Sequence, residues 1–210
     1  MPTELPYPLP SLADTFAEVL RGSEMSRRIA HHAAHVAAET WLAMELAMLV
    51  NSQIIPDLVG WRALLERGKI DVTLLPPEPS QSPLFLELKI VDRGYWHENW
   101  SSVYQDLVGK PNKSPASVAV CFVFRPTCKG PSVQQATTLK KWNEGFASLP
   151  TNLGEVFAPV PGKPAFQLLH SSGPISLSWE HPVPDRWLEG YSAQLSVLWL
   201  VRAVLNNQHW

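Results

Sequence analysis

Apolar and polar positions alternate with a period near two in some stretches of this chain and near three to four in others, and the changes of period mark its elements. After an arm spaced by Pro2, Pro6, Pro8 and Pro10, Ser11 can cap a helix over Leu12–Arg21, with Gly22 as its stop. A longer helix fits Ser23 to about Val50, because the run is rich in Ala, Met and Leu, lacks Gly and Pro, and is closed by Asn51. From Val36 onward this run is apolar nearly all round, which predicts burial. A short helix over Pro56–Arg67 leads through Gly68 to two strand-like runs, KIDVTLLP and PLFLELKIV, with the proline-rich PEPSQSP between them. Such a pair reads as a hairpin.

Beyond the hairpin, NWSSVYQDLVGK is helical in pattern, with Val103 and Leu107 four apart. ASVAVCFVFRP follows, a continuous β-branched and aromatic run of the kind central strands carry. Another helix fits Ser132–Ala147. Leu149–Pro184 is rich in proline and holds short strand candidates, AFQLL and ISLSW. A last helix is expected over Asp185–Asn206, with Trp187, Tyr191, Leu195, Leu198 and Leu205 on one stripe. This order predicts an α/β fold with a small mixed sheet flanked by helices, followed by an irregular extension and a terminal helix. At 210 residues the chain suits a single domain. Its core spans about residues 23–147, and the extension 148–210.

Composition narrows the function classes. Hydrophobic residues make up 45% and charged residues 17%, an ordinary globular balance that excludes a disordered or collagen-like chain. Two cysteines, Cys121 and Cys128, cannot staple a fold, which points to a reducing compartment. The first residues lack a basic and apolar leader pattern, and the most apolar run, Leu195–Leu205, is far shorter than the roughly 20 residues that cross a bilayer. A soluble cytoplasmic protein without a membrane partner is the expectation. Net charge is −2, yet Lys89–Lys141 carries eight Lys and Arg against three acids, a net +5 within an otherwise acidic chain. No glycine-rich phosphate loop and no GxSxG elbow occurs, so neither a nucleotide cofactor nor a serine hydrolase is indicated.

The stretch that carries chemistry is Asp71 followed, after 15 intervening residues, by Glu87-Leu88-Lys89. Alternate residues of a strand share a face, so Glu87 and Lys89 point the same way and Asp71 on the neighbouring strand can stand beside them. Paired carboxylates suit a hard cation such as Mg²⁺, which keeps several waters and takes phosphate oxygens as further ligands. The lysine can stabilise charge on the phosphate or orient an attacking water. The competing assignment makes Phe85, Glu87 and Lys89 a solvated outer face, opposite Leu84, Leu86, Leu88 and Ile90. His31, His35 and Glu39 form an i, i+4, i+8 series that lacks the HExxH spacing of helical zinc sites, and reads as a polar stripe. Trp96 and Trp100 flank the connection after the hairpin, where they can pack or stack on a base. Cys121, within AVCFVF, reads as a small buried hydrophobe.

Asp71 and Glu87-Leu88-Lys89 on a hairpin resemble the PD-(D/E)XK nuclease superfamily, the restriction-endonuclease-like enzymes, over about Ser23–Pro126. Ile70 stands where the motif name has proline. The resemblance implies a metal-dependent DNA endonuclease hydrolysing backbone phosphodiesters with Mg²⁺ or Mn²⁺. Asp71, Glu87 and the Leu88 carbonyl would hold the metal, and Lys89 would act on water or phosphate. Glu39, or failing it Glu45, would be the acid on the preceding helix. Tyr104, Gln105, Lys110 and Lys113 would contact nucleic acid. The alternatives are a catalytically silent binding, immunity or scaffold module of the same fold, and the same chemistry on RNA. The broad apolar surface of the expected terminal helix, including Trp199, Leu200, Val201 and Val204, calls for a cover, either the proline-rich Leu149–Pro184 extension or a second copy in a homodimer through that helix.

Overall fold

The computed structural model describes residues 5–33, 38–65, 70–91, 117–128, 165–177 and 191–203. Three helices come first, α1 (Leu9–Arg21), α2 (Ser23–Ala33) and α3 (Ala38–Asn51), followed by a 3-10 turn at Pro56–Leu58. The strands are β1 (Arg62–Leu65), β2 (Val72–Leu75), β3 (Leu84–Val91), β4 (Val118–Cys128), β5 (Ala165–Leu177) and β6 (Tyr191–Ala203). They form one six-stranded sheet in the order β1-β2-β3-β4-β6-β5. Only β3 and β4 run parallel, and the other neighbours are antiparallel. A mixed α/β fold is therefore present, and the expected hairpin and central strand are both in it.

The helices share one face of the sheet. Leu12, Phe16, Leu42 and Leu46 are fully buried against Val72, Leu74, Leu86, Leu88, Val120 and Trp199. Phe16 meets Phe122 edge-on, with ring centroids 6.2 Å apart at 83°, the geometry aromatic quadrupoles favour. On the opposite face Ala119, Cys121, Leu198 and Leu200 are also buried. The central strands are thus enclosed on both sides, as near-continuous apolar runs require.

Several elements differ from the sequence pattern, each for a physical reason. α1 begins at Leu9, with a proline in its first two positions, where a fixed φ and a missing N–H cost nothing. Ser11 does not cap it, and its hydroxyl donates to the Asp57 carboxylate instead. Of the expected Ser23–Val50 helix, Ser23–Ala33 and Ala38–Asn51 are helical, and residues 34–37, including His35, lie outside the described set. Met44 and Met48 of α3 stand 45% and 64% exposed, since a helix lying on one sheet buries one stripe however apolar its other side. WRALLER has good helix formers, but Arg62–Leu65 is the strand β1, paired along its length with β2; tertiary pairing overrides propensity. Two side-chain amides support this edge. Asn51 accepts from the Ala63 N–H (2.9 Å) and donates to the Ala63 carbonyl (3.0 Å). Gln53 accepts from the Gly60 N–H (2.6 Å) and donates to the Trp61 carbonyl (2.8 Å).

AFQLL and the ISL of ISLSW belong to a single bulged strand, β5, with register shifts at Leu168/His170 and Ser172/Ile175. Gly173 sits between them at φ +120°, where a Cβ would stand 2.7 Å from the Leu195 carbonyl oxygen. Only glycine fits. The helices expected over NWSSVYQDLVGK and Ser132–Ala147 fall outside the described residues.

The largest correction concerns the C-terminus. Tyr191–Ala203 is not a helix but the long strand β6, paired with β4 on one side and β5 on the other. Leu195 and Val197–Val201 face both sides of the sheet and are buried within their own chain, so the helix-mediated homodimer loses its basis. Leu200→Glu should place an unpaired charge in the core and cost more than about 4 kcal/mol. Leu168→Glu, at a position 39% exposed on the edge strand, should stay within about 0.5 kcal/mol of wild type. Denaturant unfolding followed by tryptophan fluorescence distinguishes them, and equal effects would contradict the placement of β6.

Candidate functional site

β2 pairs with β3 only as far as Val72 opposite Leu86. Beyond that point, among the described residues, no strand pairs with β3 on this side, while β4 stays paired with it on the other, through Val91 opposite Val123. Backbone groups alternate between the two edges of a strand, and the N–H groups of Leu88 and Ile90 lie on the vacated edge. Each requires an acceptor. Asp71 accepts from the Leu88 N–H through Oδ2 at 2.7 Å. Glu39, in the first turn of α3, accepts from the Ile90 N–H through Oε1 at 3.2 Å. By the same alternation the Leu88 carbonyl lies on this edge.

Glu87 and Lys89 leave β3 on the face away from the helices. Their register partners on β4 are Ala119 and Cys121, both small and fully buried. Glu87 is 1% exposed and the Lys89 side chain 14%, so the solvated outer face is excluded. Lys89 Nζ lies 3.3 Å from Glu87 Oε1 and 3.6 Å from Glu39 Oε1. The four residues singled out by spacing, Glu39, Asp71, Glu87 and Lys89, thus meet at one place. Glu39 makes these contacts, and it is Glu39 rather than Glu45 that the fold brings to the hairpin. Tyr104, Gln105, Lys110, Lys113, Trp96 and Trp100 lie outside the described residues.

The electrostatics follow from this crowding. Burial raises the pKa of Glu39; Lys89 and the Ile90 N–H oppose the rise, while Asp71 and Glu87 add to it. Burial by itself would lower the Lys89 ammonium, but the carboxylates Glu39, Glu87 and Asp71 outweigh it and hold the pKa above its ordinary value. Burial pushes the Cys121 thiol up to about 12, so at neutral pH it is an uncharged filler beside Lys89. With all groups ionised, three carboxylates face one ammonium, an excess of two negative charges.

That excess matches a divalent cation in charge, and the donors are the oxygens such ions prefer. Among the described residues no group of three His, Cys, Asp or Glu is placed to hold a metal ion unaided. Asp71, Glu87 and the Leu88 carbonyl offer two carboxylates and one carbonyl oxygen, and ions of the Mg²⁺ type bind through one or two carboxylates and keep waters for the rest. Sequence spacing did not reveal the two backbone N–H groups that orient Asp71 and Glu39. The signal was available in retrospect: β2 is four residues long and β3 eight, so part of β3 must lack that neighbour.

No family model matches this chain, and neither does any curated protein or solved structure. Among the described residues no helix is long and apolar enough to cross a membrane.

Because the folded pKa of Glu39 lies above its ordinary value, the protein gains from this residue at low pH and loses that gain as pH rises through the folded pKa. Glu39→Gln, whose amide oxygen can still accept from Ile90, should therefore raise the melting temperature at pH 8 and leave it unchanged at pH 4. Thermal unfolding at the two pH values checks this, and a lower melting temperature at pH 8 would show that attraction to Lys89 dominates.

Proposed function

We propose that this chain is a metal-dependent DNA endonuclease of restriction-endonuclease-like fold, hydrolysing backbone phosphodiester bonds with Mg²⁺ or Mn²⁺. The observation that carries the reading is the meeting of Glu39, Asp71, Glu87 and Lys89 at the separation of β2 from β3. In this reading Asp71, Glu87 and the Leu88 carbonyl hold the ion. A divalent ion there supplies charge for the phosphate and lowers the pKa of water.

The chain's own groups do the rest. The Leu88 N–H fixes the Asp71 carboxylate in place. Glu39, held by Ile90 and Lys89, adds negative charge behind the site. Lys89 is kept protonated by its three carboxylate neighbours, and this favours a role as a charge placed for the phosphate over a role as a proton acceptor. Tyr104, Gln105, Lys110 and Lys113 are proposed to contact the nucleic acid, with the basic Lys89–Lys141 segment supplying phosphate contacts.

One observation favours a catalytically silent module instead. Asp71 and Glu39 each satisfy a strand-edge N–H, which is a structural task. Yet Asn51 satisfies the Ala63 N–H of β1, and Gln53 the Gly60 N–H just before it, with neutral amides. Capping does not need carboxylates, and gathering three around a buried lysine works against folding unless the charge has a further use.

The test is nicking of supercoiled plasmid with Mg²⁺ or Mn²⁺. Wild type should cleave and EDTA should stop it. Asp71→Asn, which keeps an acceptor for Leu88, should lose activity at least about a hundredfold with an unchanged circular dichroism spectrum. No cleavage by wild type would support the silent module, and cleavage of RNA alone would change the substrate. If about four phosphates are contacted, metal-free DNA binding should fall with a log–log salt slope near −3.6. A slope near zero, read by fluorescence anisotropy, would place the basic segment elsewhere.

A further inference from the structure

Thr73 lies within β2 with 1% of its surface exposed, and its hydroxyl oxygen has no hydrogen-bond partner among the described residues. A buried hydroxyl left unpaired is costly and calls for a cause. The sheet itself cannot satisfy it. Thr73 stands between Leu64 on β1 and Phe85 on β3, whose side chains carry no polar atom. Valine would fill the same space in the strand without the orphan oxygen.

Polar groups lie one pleat away on the same face. Asp71 is two residues earlier, just before β2, and Glu87 is two residues beyond Phe85 on β3. Diagonal positions across an antiparallel pair are about 7–8 Å apart, a separation that admits one water between a short hydroxyl and a carboxylate. Mg²⁺ and Mn²⁺ bound through one or two carboxylates keep several waters, and such waters need partners in the surrounding wall. A threonine hydroxyl can donate one hydrogen bond and accept two, turning to suit.

We propose that Thr73 is a positioning residue of the divalent-cation site, its hydroxyl holding a water of the ion's hydration shell beside Glu87. This rests on the reading of Asp71 and Glu87 as the carboxylates that hold the ion. The hydroxyl is then an orphan only while no hydrated ion is bound. Loss of the oxygen should weaken the ion's binding without disturbing the fold.

Calorimetric titration with Mn²⁺ alone, on the full chain, tests the proposal together with thermal unfolding in EDTA. Thr73→Val should bind Mn²⁺ about five- to tenfold more weakly than wild type, the loss of one hydrogen bond, and should melt at a higher temperature in EDTA. Thr73→Ser should restore the affinity, and Thr73→Ala should match Thr73→Val in affinity if the valine chain folds poorly. Asp71→Asn should lose binding outright. Wild-type affinity in both Thr73→Val and Thr73→Ala, with loss in Asp71→Asn, would overturn the role of Thr73 and leave the ion site standing. Absence of Mn²⁺ binding by wild type, or undiminished binding by Asp71→Asn, would overturn the ion site and the role of Thr73 with it.

Discussion

The arrangement depends on a sheet edge that opens halfway along a strand. β3 is twice as long as β2, so the N–H groups of Leu88 and Ile90 pass the end of their neighbour while the same strand remains paired with β4. A backbone donor in a half-buried place must be satisfied, and here carboxylates from two different elements do it. Asp71 comes from the residue just before β2, and Glu39 from the first turn of α3. The same unpaired backbone therefore ties the start of the hairpin to α3 and sets which acids come together.

Charge follows from that constraint. Glu87, on the buried face beyond the helices, needs a partner, because an isolated carboxylate there would be too costly to ionise. Lys89 supplies it from the next position on its face, and its reach to Glu39 ties the strand to the helix. Ala119 and Cys121 on β4 are small enough to leave room for both side chains. The result is a compact cluster in which loss of Lys89 would leave three carboxylates facing one another. Breaking such a buried pair typically costs about 3–5 kcal/mol, which is why neutral, shape-conserving changes such as Asp71→Asn probe the chemistry better than truncations.

The parts of this structure that could be read from the chain are those where period and partner agree. Alternation in PLFLELKIV placed Glu87 and Lys89 on one face, and the apolar run at Val118–Val123 announced a strand covered on both sides. The C-terminal segment shows where that logic stops. In β6, Leu195, Val197 and Trp199 face the helices while Ser196, Leu198 and Leu200 face the other side, so a doubly covered strand has no polar stripe. Its residues lie on a helical wheel as convincingly as on a pleat. β1 misled for a different reason. Ala63, Leu64 and Leu65 favour helix intrinsically, and only pairing with β2, together with the amide of Asn51 on Ala63, makes them extended. Thr73 left no signal at all, since a threonine in a strand is ordinary until its neighbours in register are known.

The chain also contains its own comparison for the meaning of the acidic cluster. At β1 and the residues just before it, the chain meets the need for backbone hydrogen bonds with Asn51 and Gln53, amides that both donate and accept and bring no charge. At β3 it meets the same need with carboxylates, places Glu87 beside them in the interior and balances the set with a single lysine. Amides at β3 would satisfy Leu88 and Ile90 equally well and would remove the mutual repulsion that, with burial, raises the pKa of Glu39. The choice of acids over amides at this one edge is therefore not explained by backbone pairing. Under the proposed function it follows from the ligand, since a hydrated divalent cation favours concentrated negative charge and oxygen donors.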